Sequence, residues 1–210
     1  MATVKRGAFI VLEGCDRSGK SSQSRLLFEF LRSRGIPAKH MIFPNRSSEI
    51  GGTINSYLKN AKELNDQVIH LLFTANRWEF KKEIEELLSL GTTLVVDRYS
   101  YSGVAYSVAK GLDFDWCMAP EIGLIRPDAV FYLKAPIEIL MQRGDFGKER
   151  YEKKDFQLKV ASVFDRICED QKHFWHSIDA TQTQETVLET LSTKVLEVIE
   201  LAKDEPLKVL

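Results

Sequence analysis

The sequence predicts an α/β fold, a five-stranded parallel sheet flanked by helices on both faces. Five short apolar runs, rich in β-branched and aromatic residues, predict the strands: 8–12, 41–43, 92–96, 129–133 and 174–178. Segments with helical spacing of apolar residues lie between and after these runs: 20–34, 64–90, 99–110, 137–143, 151–173 and 181–203. Strands that alternate with helices pair in parallel and are covered on both faces, so this order predicts the sheet.

The last helical segment carries a specific local start signal. Thr181 and Gln184 have the spacing of a capping box, in which two side chains satisfy each other's backbone N–H groups. We therefore expect the helix to begin just after Thr181.

Length and composition limit the class of protein. The 210 residues are the length of one domain, so we expect a single domain over residues 1–210. Lys and Arg number 29 against 30 Asp and Glu, a net charge of −1. This balance argues against a nucleic-acid-binding protein, because such binding depends on an excess of basic residues. A hydrophobic content of 44% excludes a disordered chain.

Cysteine usage and the N-terminus indicate the compartment. The three cysteines, Cys15, Cys117 and Cys168, are widely spaced and form no Cys-x-x-Cys motif, which predicts neither a disulfide framework nor a zinc site. The first apolar run, 8–12, is too short for a signal peptide or a membrane span. We therefore expect a cytoplasmic protein without a membrane partner, and nuclear access stays open.

Residues 14–21 form a phosphate-binding loop (P-loop), Gly-x-x-x-x-Gly-Lys-Ser, placed as that motif requires between an apolar run and a helical segment. Backbone N–H groups and the helix N-terminus surround phosphates in such a loop. Lys20 reaches the terminal phosphates and Ser21 ligates Mg²⁺. The motif predicts a P-loop NTPase-type sheet and a nucleoside triphosphate ligand, without fixing the reaction.

Two residues near this loop have two interpretations each. Asp97 ends the third apolar run, where a carboxylate either holds Mg²⁺ through water or caps the next helix; the P-loop favours the metal. Cys15 is either a small space-filling side chain, which we favour, or a thiol whose pKa is lowered by Lys20 and the helix N-terminus.

A second phosphate ligand is suggested by Arg46 and Arg98, which follow the second and third apolar runs. Ligands of open α/β sheets lie outside the carboxyl ends of the strands, so both arginines are expected beside the triphosphate. Segment 64–90 is apolar on two faces, and one of them carries Phe73 and Arg77 one turn apart. That face either stacks on and hydrogen-bonds to a base, or is core or a dimer interface.

Two further features leave alternatives open. Segment 143–151 is charged and punctuated by Gly144 and Gly147, so it is either a surface loop or a mobile lid with those glycines as hinges. A nucleotide-dependent switch or binding protein is the alternative class. The Asn-Lys-x-Asp or Thr-Lys-x-Asp element that reads guanine does not occur in the sequence.

A set of motifs resembles the thymidylate kinases of the eukaryotic type: Asp16-Arg17 within the P-loop, Phe43-Pro44-x-Arg46, His70-Leu-Leu-Phe-x-Ala-Asn-Arg-Trp78, Asp97-Arg98-Tyr99-x-x-Ser102-Gly103-Val-Ala-Tyr106 and Pro127-Asp128. The similarity runs from about residue 8 to 180. It implies a homodimer that uses Mg²⁺ and transfers the γ-phosphoryl group of ATP to dTMP, giving dTDP and ADP in dTTP biosynthesis. Another nucleoside monophosphate specificity is the alternative within this class.

On the donor side, the resemblance implies Arg17, Lys20, Asp97 and Arg98 as catalytic residues, with Ser21 and Asp97 at the metal. Arg17 resembles the catalytic arginine that this subgroup carries in its P-loop. The implied ATP-binding residues are Arg17, Ser18, Gly19, Lys20, Ser21, Ser22, Arg143, Asp179 and Ala180, the last three near the adenine.

On the acceptor side, Phe73 resembles the aromatic residue that stacks on thymine, and Arg77 the donor to a thymine carbonyl. Arg46 and Arg98 resemble the clamps on the dTMP phosphate. Asp16 lies near the 3′-hydroxyl in this resemblance, and Ser102 and Gly103 line the base edge. Tyr106 lies under the sugar, where a 2′-hydroxyl would clash, and Tyr151 lies near the sugar. Phe43 is the remaining implied substrate residue.

Overall fold

A computed structural model describes residues 5–144 and 149–210 of the chain. Within them the strands are β1 Phe9–Glu13, β2 Ala38–Ile42, β3 Thr93–Asp97, β4 Ala129–Lys134 and β5 Trp175–Asp179. The helices are α1 Lys20–Ser33, α2 Glu49–Leu58, α3 Asp66–Trp78, α4 Lys81–Ser89, α5 Ser100–Ala109, α6 Phe114–Met118, α7 Ile137–Gln142, α8 Lys154–Asp170 and α9 Gln184–Ala202. A 3₁₀ turn, Ala119–Glu121, follows α6.

The five strands form one parallel sheet in the order β2-β3-β1-β4-β5, which confirms the predicted fold class. The central strand β1 is wholly buried, and its side chains alternate between two apolar clusters. Phe9 and Val11 pack with α3, α4, α5 and α8 on one face. Ile10 and Leu12 pack with α1 and α9 on the other.

The single helix predicted over 64–90 is wrong, because the chain forms two helices there. Phe80 lies between them and packs edge-on against the buried ring of Phe43 at 5.7 Å. The break allows α4 to bury Ile84 and Leu88, while α3 turns a different and more polar face inward. Uniform helical spacing across both segments concealed this change of direction.

The predicted capping box at Thr181 is also wrong. Thr183 is the N-cap of α9, and its side chain accepts a hydrogen bond from the backbone of Thr186 at 3.3 Å. Thr181 instead donates both its backbone N–H and its hydroxyl to Asp179. The Asp179 carboxylate at the end of β5 therefore binds Thr181, the residue that the local pattern had assigned to the start of the helix.

Helix α2 is absent from the sequence prediction because Gly51 and Gly52 weaken its helical signal. Ser48 caps it by accepting a hydrogen bond from Gly51 N at 3.1 Å. A Cβ on Gly51 would lie 1.8 Å from the backbone oxygen of Asn45, whereas one on Gly52 would meet nothing within 4 Å. The first glycine therefore allows α2 to approach the loop that carries Arg46.

Gly51→Ala and Gly52→Ala form a matched pair that tests this close approach. We expect Gly51→Ala to lower the free energy of unfolding by about 1–3 kcal/mol, because the backbone of Asn45 must move. Gly52→Ala should raise it by about 0.5–1 kcal/mol, since alanine is the better helix former at an open position. Urea denaturation of both variants measures the difference; equal effects would contradict the close approach.

Candidate active site

The strand register brings the predicted site residues to one edge of the sheet. Leu12 of β1 lies opposite Asp97 of β3, and Asp97 lies opposite Ile42 of β2. Arg98 N donates to the backbone oxygen of Leu12 at 3.0 Å. The P-loop, Asp97–Arg98 and the loop 43–46 therefore leave the sheet side by side.

The P-loop has the backbone conformation that close wrapping requires. Gly14 has φ 147°, Arg17 φ 63° and Gly19 φ 96°. A Cβ on Gly14 would lie 2.7 Å from the backbone oxygen of Leu133, so only glycine fits there. Lys20 is buried, and its Nζ donates to the Cys15 carbonyl at 2.6 Å and the Ser18 hydroxyl at 3.3 Å.

Burial shifts the pKa values of Lys20 and Cys15 in opposite directions. It lowers the pKa of Lys20 to about 8, because the ammonium group loses its water. It raises the pKa of the Cys15 thiol to about 12, and the nearby Lys20 opposes this only in part. The burial of Cys15 and its raised pKa therefore favour the space-filling interpretation over a reactive thiol.

Ser21 and Asp97 form an oxygen pair at the base of the loop. The Ser21 hydroxyl donates to Oδ2 of Asp97. Oδ1 of Asp97 is buried and has no hydrogen-bond partner among the described residues. An orphaned carboxylate oxygen beside a hydroxyl is a donor set that suits Mg²⁺, which takes few protein ligands when phosphates supply the others.

Arg98 lies at the centre of the site. Its backbone is left-handed, with φ 65°, and its guanidinium pairs with Asp16 and lies 5.3 Å from the centre of the Tyr106 ring. Nη1 also donates to the Ser102 hydroxyl at 3.2 Å. Asp16, Ser102 and Tyr106 thus meet around one guanidinium, although Asp16 lies 82 positions from Arg98 in the sequence.

Sequence reasoning missed Glu13, whose carboxylate binds the residues that follow Arg98 and so fixes their position. Its fully buried Oε1 accepts hydrogen bonds from Tyr99 N at 2.9 Å and Ser102 N at 3.0 Å, and Ser102 Oγ donates to Oε2. Burial raises the pKa of Glu13, although these hydrogen bonds favour the charged form. Glu13 therefore caps the N-terminus of α5 from the end of β1. Its only signal in the sequence is an acid at the end of an apolar run.

Sequence reasoning also missed Gln157 and Asn76. Gln157 of α8 accepts from Asp16 N at 2.9 Å and donates to Asp16 Oδ2 at 2.7 Å, which fixes the P-loop aspartate. Asn76 of α3 accepts from Asn45 N at 2.7 Å and donates to Asn45 O at 3.0 Å. The side-chain amides of Gln157 and Asn76 thus hold the P-loop and the loop 43–46 from neighbouring helices.

One cavity, of about 80 Å³, is lined by all ten residues that the resemblance assigns to the substrate. They are Asp16, Phe43, Arg46, Phe73, Arg77, Arg98, Ser102, Gly103, Tyr106 and Tyr151. We call it the acceptor cavity. Phe73 is half-buried and Arg77 buried at its wall.

A second cavity, of about 500 Å³, lies over the P-loop and is called the donor cavity. Six of the expected ATP-binding residues line it: Arg17, Gly19, Lys20, Ser21, Ser22 and Arg143. Ser18, Asp179 and Ala180 do not, although Ala180 O accepts from Arg143 Nη2 at 2.5 Å. Asp16, Arg46 and Arg98 line both cavities, so the two spaces meet at these charged side chains.

The described ends of the expected lid, over 143–151, contact residues of both cavities. Glu149 pairs with Arg46 at 3.3 Å, and Glu152, the residue just after the lid, pairs with Arg17 at 2.9 Å. Arg143 Nη1 donates to the backbone oxygen of Arg17 at 2.9 Å. Gly147, the second expected hinge, lies outside the described residues.

Comparison with known proteins decides the family. The thymidylate kinase family model matches residues 12–191. A thymidylate kinase of Arabidopsis thaliana is 48% identical over 98% of this chain and 77% of its own length. The human thymidylate kinase is 45% identical over 97% of this chain and 96% of its own.

The chain belongs to the thymidylate kinase family.

A solved structure gives the same family assignment from the fold. Thymidylate kinase from Candida albicans superimposes with a TM-score of 0.84 at 35% identity, covering 98% of both chains. Its structure is described as revealing the origin of broad substrate specificity. The resemblance drawn from the sequence is thus confirmed, and these thymidylate kinases give no support to a nucleotide-dependent switch.

Within residues 5–144 and 149–210 of this thymidylate kinase family member, helices lack the combination of length and apolar character needed to cross a membrane. In the same ranges no group of three or more His, Cys, Asp and Glu side chains could hold a metal ion.

Proposed function

We propose that this chain, as one domain over residues 1–210, transfers the γ-phosphoryl group of ATP to dTMP, giving dTDP and ADP in dTTP biosynthesis. The junction of the donor and acceptor cavities at Arg98 carries the proposal. A guanidinium shared by both spaces suits a reaction in which two phosphate-bearing ligands meet. The acceptor is itself a phosphate anion, so no general base is required.

On the donor side, Lys20 and the P-loop backbone from Ser18 to Ser22 bind the ATP phosphates. Arg143 and the turn at Asp179–Ala180 bind the adenine side, supported by the hydrogen bond from Arg143 to Ala180 O. The lid over 143–151 covers the nucleotide. Its described ends support this, since Arg143 donates to the backbone oxygen of Arg17 and Glu149 pairs with Arg46.

Ser21 and Asp97 would hold Mg²⁺, directly or through water. When bound, this ion neutralises charge on the β- and γ-phosphates. Asp97 is assigned to the metal and not to proton abstraction, which agrees with its unpartnered Oδ1 beside the Ser21 hydroxyl.

On the acceptor side, Phe73 stacks on thymine and Arg77 donates to a thymine carbonyl, while Ser102 and Gly103 line the base edge. Asp16 binds the 3′-hydroxyl. Tyr106 excludes a ribose 2′-hydroxyl, Phe43 and Tyr151 enclose the nucleoside, and Arg46 and Arg98 bind the phosphate. The support for these roles is the common cavity that these side chains line.

A homodimer is proposed from an exposed apolar face on α3, α6 and the following turn. Its large side chains are between 39% and 64% exposed: Val68, Leu71, Trp78, Trp116 and Ile122. Exposed apolar side chains of this size are typical of interaction sites, and a two-fold dimer would use the same residues twice. The cytoplasmic location stays a prediction from the cysteine usage.

A coupled ADP-release assay with dTMP, dUMP, dCMP, dGMP and AMP tests the function. We expect the highest kcat/KM for dTMP and no ADP formation above background without an acceptor. A clear preference for AMP or dCMP would contradict the thymidylate assignment and leave the kinase class intact. Slow phosphate release independent of any acceptor would contradict the kinase class as well.

Arg17→Ala tests the proposed catalytic arginine. An arginine that follows charge on the γ-oxygens in the transition state contributes ~10³–10⁵ in kcat. We expect kcat at saturating substrates to fall at least about a hundredfold, and ATP affinity much less, because transition-state interactions appear in kcat. Arg17→Lys should not restore it, since a point charge lacks the planar fork.

The control for Arg17 is Arg25→Ala, which removes an exposed arginine of α1 that pairs only with Glu29 among the described residues. Its kcat should equal that of the wild type. If Arg17→Ala keeps kcat within about threefold while ATP binding collapses, Arg17 is a ground-state binding residue.

The lowered pKa of Lys20 predicts pH-dependent ATP binding. Below about pH 8 the free enzyme already carries the ammonium ion, so ATP affinity should be flat. Above pH 8, binding must take up a proton, and the dissociation constant should rise roughly tenfold per pH unit. Titration calorimetry from pH 7 to 9.5 measures this, with Lys20→Arg as the variant that should show no slope. A flat profile in the wild type would contradict the role of Lys20.

A further inference from the structure

Glu121 is a fully buried carboxylate that holds Arg77 from behind the acceptor cavity. Its Oε2 accepts a hydrogen bond from Arg77 Nε at 2.8 Å, and its Oε1 accepts one from Arg77 Nη2. Thr74 Oγ1 donates to Oε1 at 2.6 Å. Glu121 does not line the cavity, so it is not in a position to touch a ligand there. No role for it follows from the sequence motifs.

The Arg77 guanidinium is fixed on two sides and has one edge left for a ligand. Gly103 of α5 closes one side, since a Cβ there would lie 2.6 Å from Nη2 and 3.1 Å from Nη1. Glu121 closes the other through Nε and Nη2. Nη1 has no acceptor within residues 5–144 and 149–210, and Arg77 lines the acceptor cavity.

The turn that carries Glu121 is itself anchored to the end of α3. Trp78 Nε1 donates to Pro120 O at 2.9 Å, and a Cβ on Gly123 would lie 3.2 Å from the Trp78 ring. The carboxylate therefore has a fixed position relative to the helix that bears the arginine.

We infer that Glu121 is a positioning residue that sets base selectivity by holding Arg77 as a rigid hydrogen-bond donor. The inference rests on the proposed function, in which Arg77 donates to a thymine carbonyl. A fixed N–H edge stabilises a carbonyl oxygen at position 4 of a pyrimidine. It opposes an amino group there, since both groups are then donors.

Rigidity is what converts this contact into selectivity. If the Arg77 side chain could rotate freely, it would move away from the cytosine amino group, and the protein would lose little affinity for dCMP. Two hydrogen bonds to Glu121 keep the guanidinium in place. The amino group of dCMP then faces an N–H of Arg77, and because both groups are donors, neither of them is hydrogen-bonded. By fixing Arg77, Glu121 therefore lowers the affinity for cytosine relative to thymine.

Glu121→Gln tests the inference with the dissociation constants of dTMP, dCMP and ATP, measured by titration calorimetry on the whole chain. The amide keeps one acceptor but presents N–H groups where Arg77 or Thr74 now donates. We expect the ratio of the dCMP to the dTMP constant to fall at least about tenfold, and the ATP constant to stay within about threefold. An unchanged ratio would overturn the inference.

A double-mutant cycle separates positioning from general disruption. Arg77→Ala should lower the same ratio, and adding Glu121→Gln to Arg77→Ala should lower it no further. A further fall in the double variant would overturn the inference, because Glu121 would then act without Arg77. His70→Gln is the matched control: His70 is buried on α3 and holds it to Ser107 and the Cys117 carbonyl. It should lower the thermal stability without changing the ratio.

Glu121→Asp keeps the test decisive if Glu121→Gln does not fold. It keeps the charge but shortens the side chain by one methylene, so both hydrogen bonds to Arg77 cannot keep their present geometry. The ratio should fall about threefold, and no change would overturn the inference. If the wild type binds no dTMP, or Arg77→Ala leaves the ratio unchanged, the proposed function or its base reader fails. If Arg77→Ala lowers the ratio and Glu121→Gln does not, only the role of Glu121 fails.

Discussion

Parallel pairing between β1 and β3 sets Leu12 opposite Asp97, and the geometry of the site follows from this register. It places the first residues of the P-loop beside Arg98, whose backbone N–H binds Leu12 O. A shift of one residue would turn the buried side chains of β1 to the opposite faces of the sheet. Because both faces of β1 are packed against helices, the register is strongly determined. The relative positions of the P-loop and Arg98 are therefore determined as well.

Two buried carboxylates, Glu13 and Glu121, and the partly buried Asp16 fix the positions of groups around the site. Glu13 fixes the first turn of α5, Asp16 pairs with Arg98, and Glu121 pairs with Arg77. A guanidinium buried alone would be strongly destabilising, whereas a hydrogen-bonded pair is tolerated. Arg77 and Arg98, two of the arginines that line the acceptor cavity, are therefore each held at a defined place before a ligand is considered.

The sequence contained enough local information for the five strands and the P-loop, which are expressed by short apolar runs and by a compact motif. Ten of the residues that line the acceptor cavity were expected from the family resemblance. Helix α2 and the break at Phe80 were not predictable, since they depend on a glycine's approach to Asn45 and on a ring contact with Phe43.

The anchoring residues were missed for a related physical reason. Glu13 acts on residues 86 and 89 positions away, and Glu121 acts on Arg77 across 44 positions. A lone acid at the end of a strand or in a turn has the same local pattern whether it is solvated or buried. Only the tertiary fold shows which partner it meets.

The two parts of the acceptor cavity have different structural origins. Arg98 follows β3 directly, and Arg46 lies in the loop after β2, so the end proposed to bind the phosphate depends on the sheet register. Phe73 and Arg77 lie on α3, and Arg77 is held by the turn before β4, so the end proposed to bind the base depends on helix packing. Under the proposed function, a substitution in the α3–turn contact would therefore change which base is accepted and leave the phosphoryl-transfer geometry in place. The reverse does not hold, because Arg98 contacts the P-loop through Asp16 and lines both cavities.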